Sequence, residues 1–210
     1  MHVQSRGEEN PDAIRIKRSR ELFYYAKGCL FLFADGKTGN KNLDEKLPGF
    51  ICEKDRDLKD FLRNKAVTYE QHNKGKTFLI MDFDKMKNEK RAEIFAYYTL
   101  AIHSLPIPEN ASKNLIKKLV GSKSNAKNIP SYLIGQLAKN DLFADKISGK
   151  EVLDTALVGI KKAQEFVGGR IVAVDCKPEP KLHNFYISNG FTFLGHNETN
   201  NLDQFVLKIT

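Results

Sequence analysis

The feature that most constrains the fold is a strand–helix–strand pattern in the C-terminal half of this 210-residue chain. Residues 132–138 (YLIGQLA) and 171–176 (IVAVDC) have the apolar runs of buried strands, and residues 149–166 between them have helical spacing of apolar side chains. Two strands joined through a helix are expected to be parallel neighbours with a right-handed crossover. The pattern predicts an α/β fold with helices packed on a sheet.

The remaining segments predict antiparallel strands and short helices around this unit. Residues 77–81 and 93–101 are expected to form a hairpin, and two final strands are expected at 191–194 and 205–209. A helix is predicted from Pro180 to Ser188, and a lysine-rich helix capped by Asn110 is predicted to end at Gly121. A further helix is indicated by apolar residues at helical spacing, namely Leu58, Phe61, Leu62 and Ala66. Together these predict a mixed, mostly antiparallel sheet with helices on both faces.

The N-terminal part is less regular. Residues 1–11 are predicted to be a flexible tail, and Asp12 is predicted to cap a basic helix that runs to residue 27. A short strand is expected at 29–34 before a polar loop. We therefore divide the chain into the tail, an extension of unclear role at 12–48, and a main domain at 49–210.

Composition excludes several classes of protein. The chain is 41% hydrophobic and 29% charged, which is typical of a globular domain. No run reaches the roughly 20 apolar residues of a membrane span, and the polar N-terminus does not have the pattern of a secretory signal. Three separated cysteines, Cys29, Cys52 and Cys176, favour a reducing compartment over disulfides or a metal site. We expect a cytoplasmic protein without a bound metal.

Positive charge is concentrated in one window. The net charge is +8, and residues 110–140 contain no acidic residue. Five lysines there are candidates for contacts with nucleic-acid phosphates: Lys113, Lys117, Lys118, Lys123 and Lys127. Clustered lysines without carboxylates favour a polyanionic partner, although a solvated helix and loop would account for the same pattern.

The turn that opens the helix at residue 149 is a candidate phosphate site. Unpaired N–H groups and the positive end of the helix dipole both attract a pyrophosphate. Gly149 would allow the backbone to approach closely, Ser148 would offer a hydroxyl, and Lys146 and Lys150 would add charge. An ordinary helix cap flanked by lysines is the alternative.

A tyrosine late in the following helix is a candidate catalytic acid. Tyr186 precedes Asn189-Gly190-Phe191 and is expected to face the carboxyl end of the parallel pair, where ligands bind in open α/β sheets. A phenol with a pKa near 10 keeps its proton at neutral pH and can pass it to a departing thiolate. Packing in the core is the alternative role.

These segments together resemble the GNAT acetyltransferases, and more narrowly the GNAT toxins of type II toxin–antitoxin modules. The C-terminal motifs are residues 133–138 (LIGQLA), 147–153 (ISGKEVL) and Phe185-Tyr186 followed by Asn189-Gly190-Phe191. The N-terminal motifs are Phe50-x-Cys52 before Leu58-x-x-Phe61-Leu62, then Thr77-Phe78 and residues 97–100 (YYTL). The resemblance spans residues 49–196 approximately, and the order and spacing of the motifs carry it.

The resemblance implies a GNAT fold whose central parallel strands splay apart at an acyl-CoA site. It implies that backbone amides of Leu137 and Ala138 hold the acetyl carbonyl and the pantetheine arm. The pyrophosphate would rest on the loop formed by Lys146, Ile147, Ser148, Gly149 and Lys150. Tyr186 would protonate the coenzyme A thiolate after direct attack by an amine. The implied cosubstrate is acetyl-CoA, with aminoacyl-tRNA, a DNA-binding antitoxin and a second copy of the chain as partners.

The chain departs from the family pattern at the loop. Where the family has a glycine-rich sequence this chain has Ile147, which would crowd a pyrophosphate on the usual path, and Gln136 replaces an arginine. No general base stands out, and Asp141, Asp145 and His183 are the titratable residues near the site in sequence. Three functions remain open: acetylation of aminoacyl-tRNA, acetylation of a small amine, peptide N-terminus or protein lysine, and acyl-CoA binding without catalysis.

Overall fold

A computed structural model describes residues 13–17, 22–26, 49–82, 85, 93–121 and 127–210. Eight strands form one sheet in the order β1-β2-β3-β4-β5-β6-β8-β7. The strands are β1 Ala13–Lys17, β2 Leu22–Ala26, β3 Lys76–Met81, β4 Ile94–Pro106, β5 Asn128–Lys139, β6 Ile171–Cys176, β7 Thr192–Asn197 and β8 Leu202–Lys208. All neighbours are antiparallel except β5 and β6, which are parallel. The predicted mixed, mostly antiparallel sheet is confirmed.

Helices cover both faces of the sheet, as predicted. They are α1 Arg56–Asp60, α2 Ala66–Gln71, α3 Lys113–Val120, α4 Gly149–Val167 and α5 Pro180–Ser188, with a π-helical turn at Phe61–Lys65 joining α1 to α2. Ile116 and Leu119 of α3 pack with Ala173 and Val206 on one face of the sheet. Residues of α4 and α5, among them Leu153, pack on the other face. We call these the α3 face and the α4 face.

The predicted parallel pair is present, but it is short. Only three pairs of residues join β5 to β6, from Tyr132↔Val172 to Ile134↔Val174. Directly after Ile134, β5 carries one extra residue relative to β4. Thr99 of β4 pairs with Gln136, whereas Leu100 of β4 pairs with Ile134. The unpaired position is Gly135, and such a bulge bends a strand and ends its pairing. The splayed geometry predicted for the pair is therefore built by this bulge.

The N-terminal extension is where the sequence prediction is wrong. Residues 12–27 were expected to be helical, but β1 and β2 form an antiparallel pair within them, and β2 pairs with β3. The alternation of apolar and charged residues in AIRIK has the period of a strand, and the existing sheet edge supplies hydrogen-bond partners. The predicted tail at 1–11 and strand at 29–34 lie outside the described residues.

Boundaries differ elsewhere by a few residues. Ser112, not Asn110, caps α3, because its hydroxyl accepts from the Leu115 N–H while its backbone is extended. β4 and β5 are each longer than their apolar runs and pair from Ala96↔Lys139 to Pro106↔Asn128. The apolar runs marked only one part of each strand, whereas the ladder continues through residues 102–106 of β4 and 128–131 of β5, where exposed and more buried side chains alternate.

Candidate active site

The two parallel strands separate at their carboxyl ends. Beyond Ile134, β5 continues to Lys139 paired with β4 alone, while Asp175 and Cys176 of β6 pair with β8 alone. In an antiparallel pair only alternate residues bond to the neighbouring strand, so part of the N–H groups of β5 are directed into the gap. We call this gap the opening. It is bordered by Leu137, half-buried on the α4 side, and by Ala138, which is buried on the opposite side.

The amino end of α4 begins after a short loop from β5. Ser148 is its N-cap: the hydroxyl accepts from the Glu151 N–H at 3.2 Å, and the Glu151 carboxylate accepts from the Ser148 N–H at 2.8 Å. This reciprocal capping box satisfies two N–H groups of the end and places a negative charge beside it. The first N–H groups of α4, at Gly149 and Lys150, have no carbonyl one turn earlier to bond.

The other residues of the predicted pyrophosphate loop have partners within the protein. Lys150 pairs with Asp154 one turn along the helix at 2.7 Å. Ile147 is 5% exposed and packs in the core of the α4 face, so it does not lie over the helix end. A Cβ on Gly149 would meet the Phe185 ring at 3.4 Å. Close approach to an aromatic ring is thus a packing reason for this glycine.

Tyr186 lies on the α4 face among aromatic side chains. It is 7% exposed and packs against Phe185, Phe191 and Phe205. Burial raises the pKa of its phenol above the ordinary value, and the nearby Cys176 thiol acts in the same direction. The phenol is therefore protonated at neutral pH. Since Cys176 ends β6 at the opening, Tyr186 is close to the place where the strands part.

The predicted nucleic-acid residues lie mainly on the outside of α3. Lys113, Lys117 and Lys118 are exposed, while Ile116 and Leu119 of the same helix are buried. Lys127, just before β5, is exposed as well, and Lys123 lies outside the described residues. At least three of these charges therefore point to solvent from one amphipathic helix.

Two structural centres were missed by the sequence reading. Asn140 follows β5, is 1% exposed, and bonds to four backbone groups, accepting from Ile51 and Leu142 and donating to Gly49 and Ile94. It ties the end of β5 to the segment before α1. A buried Asn after a strand gave no pattern by which to find it.

The second missed centre joins α5 to the edge of the sheet. Asp203 of β8, 5% exposed, accepts from His183 of α5 and from His196 Nδ1 of β7, the latter at 2.7 Å. Burial acts to raise the pKa of this carboxyl, but the two imidazoles outweigh it and the pKa is lowered. His183, considered as a base from sequence, is thus a partner of Asp203. Its position three residues before Tyr186 was the only signal available.

An open cleft lies on the α3 face beside β8. Its volume is about 650 Å³, and it lies between residues 106–110 after β4 and residues 196–199 after β7, with Gln204 also in its wall. Among the described residues there is no cluster of three or more His, Cys, Asp or Glu side chains that could hold a metal ion. No helix in the described ranges is long and apolar enough to cross a bilayer.

No family model and no curated protein matches the chain. Solved structures do. AtaT complexed with acetyl-methionyl-tRNAfMet is 22% identical, covers 89% of this chain and 94% of its own, and has a TM-score of 0.63. A tyrosine-to-phenylalanine mutant of KacT is 19% identical, with coverage of 87% and 93% and a TM-score of 0.62. AtaTR bound with AcCoA is 23% identical, with coverage of 76% and 84% and a TM-score of 0.56.

These similarities extend over most of the chain, and they agree with the mixed, mostly antiparallel sheet and its one parallel pair. The fold expected from the sequence motifs is confirmed. The chain has the GNAT fold.

Proposed function

We propose that this chain is an acyltransferase that moves the acetyl group of acetyl-CoA to the amino group of aminoacyl-tRNA, and so blocks translation in the cytoplasm. The observation that carries the proposal is the opening between β5 and β6, with a helix end and a protonated tyrosine beside it. AtaT, of the same fold, was solved with acetyl-methionyl-tRNAfMet, and AtaTR with AcCoA.

The thioester fits the opening by its chemistry. N–H groups near Leu137 and Ala138 would hold the acetyl carbonyl and the pantetheine amides, as a strand neighbour would. The pyrophosphate would lie at the start of α4, held by the N–H groups of Gly149 and Lys150 with Lys146 nearby. Tyr186 would give its proton to the thiolate that leaves. Ile147 supports the site from the core and Ser148 shapes the helix end.

The acceptor is proposed to be a nucleic acid because of α3. The exposed Lys113, Lys117 and Lys118 lie on the helix that follows directly after the wall of the cleft. Phosphates of an acceptor stem would be held there by charge, with Lys123 and Lys127 extending the same stretch of chain. Activity on tRNA should therefore fall steeply as salt is raised.

A second candidate function is that of a GNAT-fold binding module without catalysis. The observation that favours it is the helix end itself, where the Glu151 carboxylate occupies the position in which a pyrophosphate gains most from the dipole. Binding would require this carboxylate to move or to accept a cation. Weak or absent binding of acetyl-CoA would favour this candidate over both transferases.

Partners follow by analogy with proteins of the same fold. An AtaT mutant toxin was solved with the C-terminus of the antitoxin AtaR, and KacTA was solved with DNA. We propose a DNA-binding antitoxin for this chain too, and a homodimer as the free form. Co-expression with a small neighbouring reading frame, followed by size-exclusion chromatography with light scattering, tests both.

The decisive experiment incubates the purified chain with acetyl-CoA and total charged tRNA, and measures N-acetyl-aminoacyl-tRNA. Tyr186→Phe is expected to lower the rate by about 10²–10⁴-fold while acetyl-CoA binding is kept, because only the transferable proton is removed. Tyr69→Phe, at a half-exposed tyrosine of α2, is the matched control and should keep the rate. No acetylated product from the wild type would overturn the tRNA proposal.

Charge reversal on α3 separates tRNA from other acceptors. Lys113→Glu, Lys117→Glu and Lys118→Glu together should abolish acetylation of charged tRNA and spare acetylation of a small primary amine. Equal loss on both acceptors would contradict a role for these lysines in tRNA binding.

A further inference from the structure

A carboxylate lies at the opening on the face opposite Tyr186. Side chains alternate along a strand, and Val172 and Val174 of β6 pack on the α4 face while Ala173 packs on the α3 face. Asp175 therefore belongs to the α3 face. It is the first residue of β6 beyond the last pair with β5, so its side chain lies where the opening begins.

Gln204 holds this carboxylate from the neighbouring strand. The two residues pair across β6 and β8, and Gln204 Nε2 donates to Asp175 Oδ1 at 3.4 Å. Gln204 is 1% exposed and also lies in the wall of the 650 Å³ cleft. Its Oε1 has no hydrogen-bond partner within the described part of the chain. A buried amide oxygen without a partner is costly, and a small rotation of the side chain toward the cleft would let a ligand N–H satisfy it.

The surroundings tune Asp175 for proton transfer. Burial raises the pKa of its carboxyl above the ordinary value, while the Gln204 amide and the His103 imidazole of β4 act to lower it. Cys176, the next residue of β6, is titratable as well, but it faces the α4 side. From α3, which packs over this face, Lys113, Lys117 and Lys118 are directed to solvent. A carboxylate with a raised pKa is a better base near neutral pH than an exposed one.

We propose that Asp175 is the general base of the acetyl transfer, positioned by Gln204, and that the acceptor amine enters from the cleft on the α3 face. The proposal rests on the acetyltransferase function proposed above. The opening then has a base on one face and an acid, Tyr186, on the other. This agrees with an amine that arrives from one side of the thioester and a thiolate that departs on the other.

The acceptor ammonium gives one proton to the Asp175 carboxylate, and the free amine attacks the thioester carbonyl carbon. The tetrahedral intermediate breaks its C–S bond, the Tyr186 phenol protonates the thiolate, and the second proton of the nitrogen restores the phenol through water. Asp175 then returns its proton to solvent. The products are the N-acetyl amide, coenzyme A as the free thiol and one proton.

The experiment compares Asp175→Asn with the wild type over pH 5–10, measuring kcat/KM on charged tRNA and acetyl-CoA affinity by calorimetry. We expect kcat/KM to fall by about 10²-fold or more at pH 7 with acetyl-CoA affinity unchanged. The deficit should shrink above about pH 8, where an α-amine loses its proton without help. Asp60→Asn, at an exposed carboxylate in α1, is the matched control.

His103→Gln supplies a second readout, because the imidazole acts to lower the pKa of Asp175. The acidic limb of the wild-type profile should move to higher pH in this variant, which a structural role of Asp175 would not cause. A wild-type rate and profile in Asp175→Asn, or loss of acetyl-CoA binding by it, would overturn the base. A wild type that binds acetyl-CoA but acetylates no amine would overturn the proposed function, and the base with it.

Discussion

The two faces of the sheet at the opening differ in polarity and in their access to solvent. On the α4 face, Tyr186 and Phe205 lie in an aromatic cluster that excludes water. On the α3 face, Asp175 accepts a hydrogen bond from Gln204, which borders a cleft open to solvent. Residues that are neighbours in sequence, such as Gln204 and Phe205, belong to opposite environments because strand side chains alternate. One strand can therefore supply a dry side for a leaving group and a wet side for an incoming amine.

The same difference predicts which side chains stabilise the fold and which serve the proposed reaction. Aromatic burial on the α4 face contributes to the free energy of folding in proportion to the area removed from water. The polar pair on the α3 face gains little, because Asp175 is partly desolvated and Gln204 leaves an oxygen without a partner among the described residues. We expect removal of large aromatic side chains on the first face to destabilise the protein, and substitutions of the polar pair on the second to change its activity.

The largest effect on stability is expected from Phe205→Ala. The ring is fully buried and contacts Tyr186, His183 and Phe193. Its removal should lower the free energy of unfolding by about 3–5 kcal/mol, from lost burial and the cavity that remains. Urea denaturation followed by circular dichroism measures this. A loss below about 1 kcal/mol would mean that the aromatic cluster is not the stable side of the opening.

A much smaller change is expected from Gln204→Met, one residue away. Methionine keeps the shape of the side chain and removes an amide whose oxygen lacks a described partner, so the free energy of unfolding should stay within about 1 kcal/mol of the wild type. The same variant should lower acetyl transfer by loosening Asp175. Strong destabilisation with unchanged activity would reverse the assignment of the two faces.

The smallest effect concerns pH and His196→Gln at the edge of the sheet. The hydrogen bond to Asp203 raises the pKa of His196, so its stabilising contribution is complete below the unfolded value near 6.5 and is lost as pH rises through the higher folded pKa. The melting temperature of the wild type should decline across this window, and that of the variant less. His72→Gln, at an exposed histidine of the described chain, should keep the wild-type slope.

Much of the fold could be predicted from local pattern. Helices α4 and α5 begin where Ser148 and Pro180 signal a start, and β6 spans the predicted apolar run without change. The N-terminal strands were missed because β2 becomes a strand through its pairing with β3, residues 50 or more positions away. A pattern read over a few neighbouring residues does not predict pairing with so distant a strand.

The residues of the candidate site likewise divide into those with a local sequence signal and those without one. Tyr186 and the turn at Ser148-Gly149 were predicted as site residues from motif order, and they lie in α5 and at the start of α4. Asp175 lies inside a predicted strand but was not predicted as a site residue. Its proposed role as a base depends on the separation of β5 from β6 at that residue, which the sequence does not reveal. Ile147 was expected to crowd a phosphate, whereas its side chain is held in the core. The direction of a loop side chain is set by its packing against other segments, so the sequence alone did not predict it.

By itself the sequence determined the order of strands and helices from residue 49 onward, the parallel pair, and the presence of a tyrosine and a helix start near its carboxyl end. Tertiary structure alone decided where β5 leaves β6, which side chains meet on each face of that gap, and that Gln204 lies against Asp175. The physical reason is the distance along the chain over which each kind of interaction acts. Periodicity and capping act within a few residues, whereas the bulge at Gly135 and the contacts across three strands depend on segments far apart in the chain.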